Sequence, residues 1–174
     1  MKPFRHLTKS ERTQSLQTTI GSAADPEAIL LFAYGSLIWR PCFQVQSTYK
    51  AILHGYRRDF CVYTVEARGK PNNPGLGLGL RVGSGMCEGV LLALPEDGRC
   101  EALNSIWERE MLTSVYQPQW VSVEVDTKVT TALTFVVDET HPQCAVGLSE
   151  EAQARMIGSA TGQLGSCRDY LVNT

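Results

Sequence analysis

The sequence predicts an α+β fold, a mixed sheet or barrel carrying helices on its outside. Strand-like runs rich in β-branched and aromatic residues recur at 30–33, 48–53, 60–63, 76–81, 88–94, 119–125 and 131–137, with turn residues between them. Convincing helical patterns are confined to about 97–113 and 149–159. Many strands and few helices in 174 residues, 43% of them hydrophobic, describe one domain with a real core.

Taken in order, residues 1–28 are polar and irregular, with a short helix expected over 10–17 capped by Ser10. They read as an N-terminal polar extension, loosely packed or mobile, on a domain of residues 29–174. The run Leu30-Leu31-Phe32-Ala33 has no polar alternation and reads as a buried strand. It breaks at Gly35-Ser36, where a sharp turn could present convergent N–H groups to a carboxylate or a developing oxyanion. An ordinary turn at a strand end is the other reading. Residues 68–79 hold two prolines, two asparagines and four glycines, so they form a long loop leading into a glycine-spaced strand. Gly75, Gly77 and Gly79 leave one face of that strand bare, so another group can lie against its backbone. The loop is either the rim or lid of a small-molecule pocket or a plain surface loop. No lysine followed by serine or threonine opens a helix there, so the segment fits a phosphate loop poorly.

In the helix over 97–113, Leu103, Ile106, Trp107, Glu110 and Met111 fall near one another by the three- and four-residue spacing. A carboxylate held against Trp107 and Met111 is partly desolvated, and its pKa rises toward the range of a proton-transfer catalyst. The alternative pairs Glu110 with Arg109 or a lysine on a solvated face. The second helix, 149–159, opens on Ser149 with Glu150 and Glu151 in its first turn.

A formal charge of −2 with no basic block argues against nucleic acid as a partner. No apolar stretch has the length of a membrane span and none resembles a signal peptide, so the cytoplasm is the expected compartment. The six cysteines (Cys42, Cys61, Cys87, Cys100, Cys144 and Cys167) are scattered and expected to be reduced. His141 and Cys144 lack further ligands at metal spacing, so no metal is expected.

Five segments together resemble the ChaC-like γ-glutamylcyclotransferase family, the glutathione-degrading kind, and its bacterial branch most of all. They are AYGSLIW at 33–39, HGYRRDF at 54–60, ARGKPNNPG at 67–75, WEREMLTSVYQPQW at 107–120 and GQLGSCRDYL at 162–171. The resemblance implies a small mixed β-barrel flanked by helices, and conversion of glutathione to 5-oxoproline and cysteinylglycine without metal or cofactor. It implies that Ala33, Tyr34, Gly35, Ser36, Leu37 and Ile38 hold the γ-glutamyl group through backbone groups, and that Glu110 is the catalytic acid/base. It further implies that Tyr116 and Tyr170 line the pocket, and that the loop carrying Arg68 is a mobile, substrate-contacting loop. Ala33 departs from the pattern, where relatives commonly carry glycine. Relatives also continue past the position of Leu171 with a C-terminal helix, so pocket closure or stability is expected to differ here. The alternatives are a cyclotransferase acting on other γ-glutamyl amines or dipeptides, and a non-catalytic γ-glutamyl-binding module.

Overall fold

The strand at the centre of the fold is buried on both faces, which is why its sequence shows no alternation. In the computed structural model, which describes residues 4–174, Leu31 and Ala33 of β1 (Leu30–Ala33) pack toward a helix while Phe32 faces the opposite way. Around β1 a closed barrel forms in the order β1, β3 (Gly75–Ala93), β2 (Ser47–Thr64), β4 (Tyr116–Val125), β5 (Lys128–Val137). Closure comes from the parallel contacts Leu31 to Leu133 and Leu80 to Val136. The other pairings are antiparallel, so the sheet is mixed.

Two sets of side chains follow from the period of two along β5. Ala132 and Val136 join Phe32, Leu53, Leu80, Leu91 and Val123 in one cluster. Leu133 and Phe135 join Leu31, Leu92, Ile106 and Trp107 in the other, beneath α2 (Arg99–Glu110). The ring of Trp107 meets that of Phe135 edge-on at 5.4 Å. The remaining helices are α1 (Lys9–Gly21), α3 (Glu150–Ser159) and α4 (Cys167–Val172); a two-residue hairpin, β6 (Thr161–Gly162) and β7 (Gly165–Ser166), lies between the last two.

Several expectations change. The runs 48–53 and 60–63 belong to one strand, as do 76–81 and 88–94. Gly55 and Gly85, at φ 80° and 127°, act within a continuous ladder rather than ending it. The first helix is longer than 10–17. Its cap is Thr8 rather than Ser10, in a capping box with Glu11, whose carboxylate accepts from the Thr8 N–H at 2.7 Å.

The described part of the N-terminal extension is docked rather than loose. Leu7, Leu16 and Ile20 pack on the core beneath α2, and the indole N–H groups of Trp107 and Trp120 donate to Ser15 Oγ at 3.1 Å and to the Thr19 carbonyl at 3.0 Å. Tyr170 and Leu171 lie within the short helix α4.

Candidate active site

Beyond Ala33 the chain turns, with Ile38 N–H donating to the Gly35 carbonyl and Arg40 N–H to that of Ser36, both at 2.9 Å. Among the described residues, no backbone carbonyl takes the N–H groups of Gly35, Ser36 or Leu37. These three residues line a recess of about 40 Å³ with Phe32, Ala33, Tyr34, Leu78, Glu110, Tyr116, Phe135 and Tyr170. Ser36, Glu110, Tyr116 and Tyr170 are also walls of an outer cavity of about 560 Å³, which Arg68 lines as well. Glu110 therefore stands where the two spaces meet.

Gly35 serves this place differently from the expectation. Its φ lies outside the left-handed region, so its backbone freedom is not used. What matters is the missing side chain: a Cβ here would face the Tyr170 hydroxyl at 3.5 Å and Leu78 Cδ1 at 3.6 Å, both walls of the recess.

Glu110 is the last residue of α2, and only 16% of its side chain is exposed. Burial pushes its carboxyl above the ordinary glutamate range, and the Arg109 guanidinium pulls it back in part. Its partner is indeed Arg109, whose Nε lies 3.2 Å from Oε1, but the pair lines the cavity instead of a solvated face.

The tyrosines are fixed by their hydroxyls. That of Tyr34 donates to the Phe135 carbonyl at 2.8 Å and that of Tyr116 to the Leu78 carbonyl at 2.6 Å. That of Tyr170 accepts a long 3.4 Å bond from the Leu78 N–H. Burial raises Tyr34 and Tyr116 far above their usual values and Tyr170 to about 12, so all three stay protonated at neutral pH.

The loop carrying Arg68 is a rim tied down by the C-terminal hairpin. Glu66 and Ala67 carbonyls accept from Gln163 and Leu164 N–H at 2.8 Å, and the Asn73 side chain donates to the Ser159 carbonyl at 3.0 Å. The Arg68 guanidinium lies 5.7 Å from the centroid of the Tyr170 ring. Gly75 permits this packing, since a Cβ there would meet the Arg68 carbonyl at 2.6 Å; Gly79 serves the barrel instead, where a Cβ would meet Val137 Cγ2 at 2.3 Å. Gly77 instead borders the outer cavity.

Ile38 is the candidate residue that the structure does not bring to either space; past the turn, its side chain packs on the core beneath α2. Phe32, Leu78 and Phe135 are recess walls that sequence reasoning missed.

The family model described as ChaC-like protein matches residues 29–174. The chain belongs to the ChaC-like family. Within that family, it is 33% identical over 162 residues to the glutathione-specific γ-glutamylcyclotransferase of Escherichia coli K12, covering 92% of this chain and 70% of that one. It is 28% identical over 152 residues to glutathione-specific γ-glutamylcyclotransferase 1 of Homo sapiens, covering 85% and 68%. Its fold superposes on a yeast γ-glutamyl cyclotransferase specific to glutathione with a TM-score of 0.78, at 19% identity and covering 84% and 85%. The barrel flanked by helices is thus the architecture of γ-glutamyl cyclotransferases, as this ChaC-like sequence led us to expect. Among the described residues, no helix is long and apolar enough to cross a membrane.

Proposed function

We propose that this ChaC-like protein cyclises the γ-glutamyl group of glutathione, releasing 5-oxoproline and cysteinylglycine, with Glu110 as base and then acid. The observation that carries the reading is a buried carboxylate of raised pKa bordering a recess lined by Gly35, Ser36 and Leu37, whose N–H groups no backbone carbonyl takes among the described residues. The nucleophile and the carbonyl it attacks belong to the same γ-glutamyl group. Holding them in an attack geometry supplies roughly 7–11 kcal/mol of the barrier.

The α-ammonium is unreactive until Glu110 takes a proton from it. The freed amine attacks the γ-carbonyl carbon, and the N–H groups of Gly35, Ser36 and Leu37 meet the negative oxygen. The bond to the cysteine nitrogen then breaks while Glu110, now protonated, returns the proton to that nitrogen. In all, two protons leave the ammonium and two end on the departing amine, so one carboxylate relaying them in turn completes the balance. The larger outer cavity suits the departing dipeptide. Arg68, half-buried with no carboxylate partner among the described residues, offers positive charge to its anionic end, as does Arg40.

Mixing the protein with reduced glutathione and measuring 5-oxoproline by mass spectrometry tests the reading, with Glu110→Gln as the control. The parent protein is expected to give equal amounts of 5-oxoproline and cysteinylglycine. Glu110→Gln, folded by circular dichroism, is expected to lose about 10²- to 10⁴-fold in turnover. A folded Glu110→Gln protein at parental rate would sink the assignment. Turnover of γ-glutamyl dipeptides but not glutathione would place the specificity elsewhere in the family.

A further inference from the structure

We infer that Arg109 is a positioning residue, which locks the Glu110 carboxylate and the turn after β1 into a single unit. The inference rests on the reading of Glu110 as the base and adds a second residue to it. Three nitrogens of one guanidinium have separate partners. Nε lies 3.2 Å from Glu110 Oε1, Nη2 donates to Ser36 Oγ at 2.7 Å, and Nη1 donates to the Arg40 carbonyl.

Neighbouring residues on a helix do not face each other, so the helix alone does not bring Arg109 to Glu110. The arginine stem is held back across the end of α2 by its two bonds to the turn. Those bonds hold Ser36, a wall of the recess whose N–H no backbone carbonyl takes among the described residues. The contact therefore joins the proton acceptor to the oxygen-binding backbone, groups that a reaction at one carbon needs in fixed relation.

Lysine cannot replace this arrangement. A guanidinium carries its donors in a rigid planar fork, whereas an ammonium is a single point of charge on a flexible stem. The other ionisable groups that border Glu110 are Tyr34, Tyr116, Tyr170 and Cys42, which burial keeps protonated. Glu108, Arg40 and Arg68 also line the outer cavity. Arg109 is the cation paired with the Glu110 carboxylate, so its charge opposes the effect of burial there.

The test follows 5-oxoproline formation from glutathione across pH 5–9 in Arg109→Lys, Arg109→Gln and Ser36→Ala. Arg109→Gln is expected to lower kcat about 100-fold with a smaller change in KM, and to move the acidic limb to higher pH. Arg109→Lys keeps the charge and loses the fork, so its limb should stay near the parental position while kcat still falls. Ser36→Ala removes one anchor, and its loss should shrink when Arg109 is already changed. If Arg109→Gln does not fold, the Arg109→Lys and Ser36→Ala results decide. Parental kcat and an unmoved limb in the folded Arg109 variants would overturn the positioning role. An active Glu110→Gln protein would overturn the underlying reading instead, so the two failures are distinguishable.

Discussion

The burial of Glu110 comes at a cost to stability, and the sign of that cost is measurable. Its folded pKa lies above the unfolded value because burial disfavours the charged carboxylate more than Arg109 favours it. Below the unfolded pKa both states are protonated and the penalty vanishes; it grows as pH rises toward the folded pKa. Thermal melts should therefore find Glu110→Gln at least as stable as the parent at pH 7.5, with the difference shrinking toward pH 4. A variant losing stability with rising pH relative to the parent would contradict the burial argument. Gly35 makes the complementary point about space. An alanine there meets nothing closer than 3.5 Å and needs no strained φ, so the fold should survive Gly35→Ala. Its methyl would nevertheless enter a recess of only about 40 Å³. We expect an unchanged melting temperature and a fall in kcat/KM on the order of 100-fold from displaced substrate; near-parental kcat/KM would show that the substrate does not use the recess.

At the scale of elements, local rules succeeded where the chain obeys them locally. β1 was legible because burial on both faces leaves a continuous apolar run, and α3 because Ser149 caps it from within the sequence. The long β2–β3 ladder was not, because glycines that signal turns can equally sit at bulges, and only the partner strand decides. The docking of α1 was hidden for another reason: it has no fully buried residue, so its apolar stripe is too sparse to announce a partner. Two indole donors supply much of the attachment, and they lie far away in sequence, on α2 and β4. Trp120→Phe should cost about 0.5–1.5 kcal/mol for the lost hydrogen bond, and Trp107→Phe more, because the buried indole also leaves a cavity in the core. Hydrogen exchange in the double variant should lose protection across 9–21 while 30–33 and 131–136 keep theirs. Uniform loss would mean that α1 and the barrel unfold together. The site shows the same division. Ala33 to Leu37, Glu110, Tyr116 and Tyr170, named as candidates through motifs, line one recess, but the grip of Arg109 on Ser36 and Arg40 exists only once α2 reaches the turn after β1.

Over the whole molecule, the candidate site is a product of barrel closure and of the segment that follows it. Its walls come from the end of β1 and the turn after it, the end of α2, the start of β4, α4, Leu78 of β3 and Phe135 of β5, so no contiguous piece contains it. The strands of the barrel end at Val137, and their ladder does not depend on the C-terminal residues. Those residues instead complete the wall. Cys167, fully buried, accepts from the Leu76 N–H at 3.4 Å and donates to its carbonyl at 3.1 Å, which fixes α4 against β3. Tyr170 then reaches between Leu78 and the ring of Phe60, with Arg68 over its face. Removing 167–174 should therefore separate folding from function. The strand signal in far-ultraviolet circular dichroism and a cooperative melt should persist at a lower Tm, because the buried area of Cys167 and Tyr170 is lost. Formation of 5-oxoproline should disappear at every glutathione concentration, since the wall opposite Gly35 is gone. If truncation abolishes folding, Tyr170→Ala asks the same question with the ladder and the Cys167 anchor intact. Normal turnover in either folded protein would mean that the reaction is contained by the barrel and α2 alone, and that α4 is a buttress rather than a wall.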